Sequence, residues 1–245
     1  MNVDVHGARV LIDIPELGGA VLTETIVNMW IVMAVIVGLC IFLTRGMQVH
    51  ARTKRQIVAE FLVQKVNGMV KENMGAKFQG YGPFIAAIMS LSALCSLSSM
   101  VGMYAPTSDL SVLLGWALLV FVLITYTKIR TNGVLGYLKG YTEPIPVLTP
   151  FNIISEIATP ISMAFRHFGN IASGTVITTL VYAALAALSS AVFKWLPGAL
   201  SQIPILQVGL PAILSIYFDL FSSCLQAFIF CMLTMMYIGA AAAED

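Results

Sequence analysis

Charge is the scarcest property of this sequence. Lys, Arg, Asp and Glu make up 10% of its 245 residues, far below the roughly 25% of soluble domains, which excludes an ordinary solvated globule. What charge there is nearly cancels, at +1 overall, so there is no basic field for nucleic acid and only the placement of charges carries information. Cysteine is sparse too. Cys40, Cys95, Cys224 and Cys231 stand singly inside apolar runs, and without CxxC spacing or neighbouring His they read as small hydrophobes, not as metal or disulfide partners. No phosphate-cradling loop of the G-x-x-x-x-G-K-[ST] type occurs, and nothing calls for a cofactor or a metal. Residues 1–24 carry Asp4, Arg9, Asp13, Glu16 and Glu24 where a cleavable signal would have a basic start and a short apolar core, so no signal peptide is expected.

What fills the chain instead is apolar: 58% of residues are hydrophobic and the mean hydropathy is +0.89. Several runs reach the roughly 20 residues that a helix needs to cross about 30 Å of hydrocarbon, and lipid requires that their backbone groups be satisfied within helices. The expected fold is therefore an all-α integral membrane protein with five transmembrane helices and one amphipathic surface helix. The external segment 1–24 leads into an uncharged first span over 25–44, ended by Arg45. Next, Ile57, Phe61, Leu62, Val66, Met69 and Val70 recur at helical spacing opposite Glu60, Lys65 and Lys71, predicting an amphipathic cytoplasmic surface helix over 53–74. Thr53 followed by Gln56 is a candidate capping box at its start.

A transmembrane hairpin follows over 82–128, its first arm rich in Ser and Ala, which permit close helix approach. The last two elements, 150–193 and 204–242, are too long to stand upright. About 44 helical residues would span about 66 Å, so both are expected to be strongly tilted and to form a hairpin turning near Lys194, Pro197 and Gly198. The segments 45–80 and 128–150 hold ten of the thirteen Lys and Arg, which places them in the cytoplasm, the N-terminus outside and the C-terminus inside.

Three charges fall within the long blocks: Glu156 and Arg166 on the first, Asp219 on the second. Ionisable groups inside a membrane are functional suspects. At about 100° per residue, Ser155, Thr159, Ser162, Asn170 and Ser173 all lie within roughly 40° of Arg166, a polar stripe down one face. Asp219 and Gln226, seven residues apart, share a face of an uninterrupted helix. On spacing alone, Arg166 is equally a snorkelling residue at an interfacial helix start, and Asp219 equally the partner of a structural donor.

The run PISMAFRHFGNIASG resembles the arginine-helix motif of subunit a of the F-type ATP synthase, and LQAFIFCMLTMMYI resembles that family's final-helix signature. With PFNIISE and the hydropathy layout, the resemblance covers about two-thirds of the chain. It implies that Arg166 is the essential stator arginine, Gln226 the glutamine facing it, Asn170 its polar neighbour, and Glu156 the acid of the cytoplasmic half-channel. The family's outer relay falls on Asp219 and on Thr175, where a glutamate is common, and His167 replaces a usual aliphatic residue. Ser162 and Ser173 complete the implied ion path.

The implied partners are an oligomeric c-ring, the peripheral-stalk subunit b, the rest of the ATP synthase and the lipid bilayer, with a bacterial plasma membrane as the expected location. A rotor carboxylate facing lipid is kept neutral by desolvation and carries its H⁺ or Na⁺. A guanidinium at about 4 Å attracts the ionised form by about 4 kcal/mol at an effective dielectric near 20, which offsets much of that penalty. Two other readings stay open on the residues alone. One is a secondary permease whose Arg166 binds an anionic solute, which inverted repeats and paired broken helices would favour. The other is a structural membrane subunit whose polar stripes join helices.

Overall fold

The computed structural model describes residues 7–14, 20–49, 53–142, 145–193, 214 and 216–242. Its elements are β1 (Val10–Ile14), β2 (Ala20–Thr23), α1 (Glu24–Thr44), α2 (Lys54–Met74), α3 (Gly82–Leu97), α4 (Leu110–Gly140), α5 (Thr149–Phe193) and α6 (Ser223–Ala241). Five segments are long and apolar enough to cross a membrane, so the protein is an all-α membrane fold. The short antiparallel pair β1–β2, which pairs Val10 with Thr23 and Ile12 with Leu22, is an addition that the sequence reading lacks. The stretch 204–213 and the turn at Lys194, Pro197 and Gly198 lie outside the described residues.

The apolar surface of α1 is largely exposed, with Val35, Leu39, Ile41 and Phe42 turned outward, as lipid-facing positions require no protein partner. Its buried residues are Thr25, Asn28 and Val32. Thr25 Oγ1 donates to Asp109 Oδ2 at 3.2 Å and Asn28 Nδ2 donates to the Tyr104 carbonyl at 2.9 Å, which ties α1 to the turn between α3 and α4. Asp109 also accepts from the Ser111 N–H at 2.9 Å, capping α4. Tyr104, in that turn, titrates above the usual phenol range, first because it is desolvated and then because Asp109 and Glu24 face it.

Thr53 caps α2 by accepting from the Gln56 N–H at 3.3 Å. The Gln56 side chain turns instead to the Gln48 carbonyl at 2.9 Å and to Glu60 at 2.8 Å, so only half of the expected capping box forms. The buried face of α2 is Gln56, Ala59, Val66, Val70 and Met74, while Ile57, Phe61 and Leu62 remain exposed. Its C-terminal half is thus built into the bundle. Gly239 of α6 comes so close that a Cβ there would sit 3.1 Å from the Asn73 carbonyl oxygen.

One core joins five helices: Val66 and Val70 of α2, Ile85 and Ile88 of α3, Val120 and Ile124 of α4, Met163 of α5, and Phe230, Cys231, Met235 and Ile238 of α6. Ala164 of α5 packs with Leu113 and Ala117 of α4, the two alanines being small side chains that let helices pack closely in lipid. Cys95 and Cys231 are buried, whereas Cys40 and Cys224 lie on exposed faces.

Two helices depart from simple expectation. α4 does not stop at Lys128 but continues to Gly140 through a non-helical Gly133 at φ 72° and ψ 169°, because the helical backbone outlasts the apolar stretch that defines the span. Ahead of α6, Ile216–Ser222 forms a π-helix. There Gly174 of α5 admits the ring of Phe218, to which a Cβ would stand at 3.2 Å.

Candidate functional site

α5 organises the polar interior. Its 45 residues run through Pro160, whose missing N–H leaves the Glu156 carbonyl without its helical donor. The face carrying Met163, Ala164 and His167 is buried against α4 and α6, while Arg166, Ser162 and Ser173 point the other way and are exposed. Among the described residues Arg166 makes no hydrogen bond or ion pair. A guanidinium with five donors is thereby presented on a face that no described element of the chain covers.

At the end of the bundle where α4 finishes and α5 begins, a cavity of about 840 Å³ opens among Lys128, Tyr137, Tyr141, Asn152, Glu156 and Pro160, with Tyr237 and Ala241 of α6 on its far wall. Glu156 is its charged centre: Lys128 Nζ stands 3.5 Å from Glu156 Oε1, and the Tyr137 hydroxyl donates to the same oxygen at 3.3 Å. Tyr137 in turn shares a hydrogen bond with the Tyr141 hydroxyl, and Asn152 Nδ2 holds the Tyr141 carbonyl at 2.9 Å. Tyr141 titrates above its usual range, chiefly through desolvation and then through Glu156 and Tyr137, so it remains a protonated donor. The extension of α4 beyond Gly133 is what carries Tyr137 and Lys139 to this cavity.

At the other end of the bundle, beside the turn Pro106–Ser108, a second and much smaller cavity of about 30 Å³ is lined by Ser96, Ser99, Ser108, Asn170, Thr175, Phe218, Ser222 and Ser223. Asn170 links it inward: Ser222 Oγ donates to Asn170 Oδ1 at 2.8 Å, and Asn170 Nδ2 donates to Gln226 Oε1 at 3.4 Å. Gln226 is 4% exposed. The two cavities meet α5 at Pro160 and Asn170, ten positions or about 15 Å apart along the axis, and Arg166 lies between them.

The structure therefore joins Asn170 and Gln226 with Ser222 in one hydrogen-bonded chain, places Thr175 on the wall of the same cavity, and sets Glu156 apart at the opposite end. Gln226 bonds to Asn170, not to Arg166. Ser173 donates to the Asn170 carbonyl at 3.1 Å and Thr175 to the Ala172 carbonyl at 2.9 Å, both within α5. Asp219 falls inside the π-helix, so the seven-residue count that aligns it with Gln226 on an α-helix does not carry through, the π form having a wider turn. Its side chain lies outside the described residues. His167 is 0% exposed, packs edge-on to Phe230 with ring centroids 5.9 Å apart, and among the described residues neither ring nitrogen has a hydrogen-bond partner. The serines of α3 and the partners of Glu156, Lys128 and Tyr137, were missed as site residues from sequence, although serines at 92, 96 and 99 share one helical face.

The comparison with known proteins settles the family. A profile described as ATP synthase A chain matches residues 26–239. The chain belongs to the ATP synthase A chain family. It is 31% identical over 221 residues to ATP synthase subunit a 1 of Crocosphaera subtropica, covering 89% of this chain and 86% of that protein. It is 32% identical over 222 residues to ATP synthase subunit a 1 of Chlorobaculum parvum, covering 90% and 88%. Against ATP synthase subunit a of Acidothermus cellulolyticus it is 31% identical over 230 residues, covering 90% of this chain and 77% of that one. With family membership and five apolar helices, this is a multi-pass membrane protein, and Arg166, Glu156, Asn170 and Gln226 lie inside the matched region.

Proposed function

We propose that this chain is the ion-translocating stator subunit of a rotary ATP synthase, offering two offset half-channels through which H⁺ or Na⁺ reaches and leaves the carboxylates of a c-ring. Arg166 separates the half-channels and couples translocation to ring rotation. The observation that carries this reading is the order along α5: a charged cavity around Glu156, the exposed and unpaired Arg166, and a hydroxyl-lined cavity around Asn170.

Placed between two water-accessible pockets, a guanidinium does two things. It repels a cation attempting to pass directly, and it attracts a passing carboxylate by about 4 kcal/mol at about 4 Å and an effective dielectric near 20, favouring the unloaded form. The ion must therefore ride the ring from one pocket to the other, and each crossing yields about 2.3 kcal/mol per 100 mV. The exposure of Arg166 favours a protein partner opposite it over a solute cavity enclosed by this chain's own helices, which is the arrangement a permease needs. On this reading the chain binds no nucleotide, performs no catalysis alone, and works with the c-ring, peripheral-stalk subunit b and the remaining subunits in a bacterial plasma membrane. Its N-terminus is outside and its C-terminus cytoplasmic.

Arginine is required because guanidinium stays charged when desolvated, whereas a buried ammonium loses its proton readily. In vesicles holding the assembled complex, Arg166→Ala and Arg166→Lys are expected to abolish ATP-driven ion pumping. Normal pumping by either variant would overturn the role.

A further inference from the structure

We propose that the β1–β2 ribbon is a membrane anchor, its side chains seated at the boundary between lipid headgroups and acyl chains at the N-terminal end of α1. The occupant of this surface is phospholipid, in the outer leaflet on the proposed orientation. The inference needs α1 to span the membrane and does not depend on ion transport.

The ribbon has little protein cover. Val10, Leu11 and Ile12 follow one another and are each more than half exposed, and Val21 on the second strand is exposed as well. Three consecutive apolar side chains facing water are a liability, and a two-stranded ribbon alone is only marginally stable there. The exposure is also two-sided. Val10 pairs with Thr23 and Ile12 with Leu22. Residues two apart on a strand share a face, so Val21 lies with Thr23 and Val10 on one face while Ile12 and Leu22 lie on the other. A protein partner packed on one face would leave the other uncovered, whereas a fluid apolar medium covers both.

Backbone chemistry sets the depth. The sheet has two strands, so each carries an outer edge of N–H and C=O groups that no neighbouring strand among the described residues pairs. Such edges are excluded from the hydrocarbon core and are hydrated among headgroups. The helix brings the ribbon to that level. α1 has 21 residues, about 32 Å of helix against about 30 Å of hydrocarbon, and β2 ends at Thr23, immediately before α1 begins. Two contacts pin the base of the ribbon there: the Glu24 N–H donates to the Arg9 carbonyl at 2.9 Å, and the Tyr104 phenol meets the Ala8 backbone.

Charge decides the kind of lipid. The exposed Arg9 is answered by the exposed Asp13 and by the half-buried Glu24, so the surface offers apolar area without a net positive field. Binding through area alone is insensitive to headgroup charge, unlike that of a polybasic segment. Through the bonds from Thr25 to Asp109 and from Asn28 to the Tyr104 carbonyl, an anchor at this point also fixes the depth of the turn between α3 and α4.

The test places the photocrosslinker p-benzoylphenylalanine at Leu11 or, separately, at Val21 in the assembled complex in phosphatidylcholine vesicles. Mass spectrometry of this chain after irradiation identifies what each position has captured. Phospholipid adducts from both positions are expected, with yields changed by less than about twofold when about one third of the lipid is phosphatidylglycerol. Ile12→Asp, with the crosslinker kept at Leu11, should lower the lipid yield about fivefold, since a carboxylate resists leaving water. An adduct with another subunit or with a second copy of this chain, from either position, would make the ribbon a protein interface and overturn the proposal. So would the absence of any adduct from both positions, which puts the ribbon in water, and so would lipid capture that requires phosphatidylglycerol. An unaltered lipid yield in Ile12→Asp would also overturn it. The two crosslinker positions carry the test without a destabilising change, so it stands even if Ile12→Asp fails to assemble.

Discussion

The two cavities that α5 connects are unlike in every respect that matters to an ion. The one at Glu156 measures about 840 Å³ and is built around a Lys128–Glu156 pair and two tyrosine hydroxyls. The one at Asn170 measures about 30 Å³ and is lined by serines, Thr175 and an asparagine, closed on one side by Phe218. A wide charged vestibule keeps its ions hydrated and discriminates little, since its fields are screened by the water it holds. On the stator reading proposed above, the two ends serve opposite sides of the membrane, and Arg166 between them keeps the path from collapsing into a pore.

The sharpest way to break that comparison is to remove the separator. In the assembled complex, Arg166→Gln should permit ion flux uncoupled from ATP turnover, a larger effect than any change to either cavity. The check is passive ion leak through vesicles containing the membrane sector, measured beside ATP-driven pumping. Unchanged tightness together with retained pumping would mean that the two ends are separated by something else.

Changes at the ends should be smaller and one-sided. Asp219→Asn is expected to slow ion entry from the outer side by about tenfold, the kinetic equivalent of about 1.4 kcal/mol, with assembly retained. Rates measured as a function of outer-side ion concentration read this directly, and an unaltered dependence takes Asp219 off the path. Glu156→Gln keeps the Tyr137 hydrogen bond but breaks the pair with Lys128, a partly solvated contact worth at most about 1 kcal/mol. Its expected effect is about twofold, visible only when the cytoplasmic ion concentration is varied. An equal effect on both sides would contradict the division of labour.

How far this architecture could be read in advance differs by residue. The spans were legible because hydrocarbon demands apolar length, and Thr25–Thr44 or the run after Asp109 state that length without ambiguity. Arg166, Asn170 and Gln226 were legible because polar groups inside apolar helices are few. The end of α4 was not, since helical backbone needs no hydrophobicity to continue, and Tyr137 joined Glu156 only through that continuation. Nor was the π-helix at Ile216–Ser222, since no local pattern in the apolar run distinguishes it from an α-helix. The Ser92, Ser96 and Ser99 ladder read as small residues for close packing, because sequence shows a hydroxyl without showing whether a cavity stands beside it.

His167 offers the finest test of whether one charge does the separating. It adjoins Arg166 in sequence yet lies on the buried side of α5, packed on Phe230 with both nitrogens unpartnered among the described residues. An imidazole in that position leaves polar atoms without bonds, at a cost of about 1–3 kcal/mol, which a leucine would not incur. If Arg166 acts alone, His167→Leu should raise the unfolding temperature of the purified complex slightly and leave the ratio of ions pumped to ATP hydrolysed unchanged, since an apolar side chain of similar size keeps the contact with Phe230. Thermal unfolding and coupled pumping measured on one preparation separate the two possible outcomes. A more stable complex that has lost coupling would make His167 a second member of the barrier, held unsatisfied at an energetic cost because transport requires it.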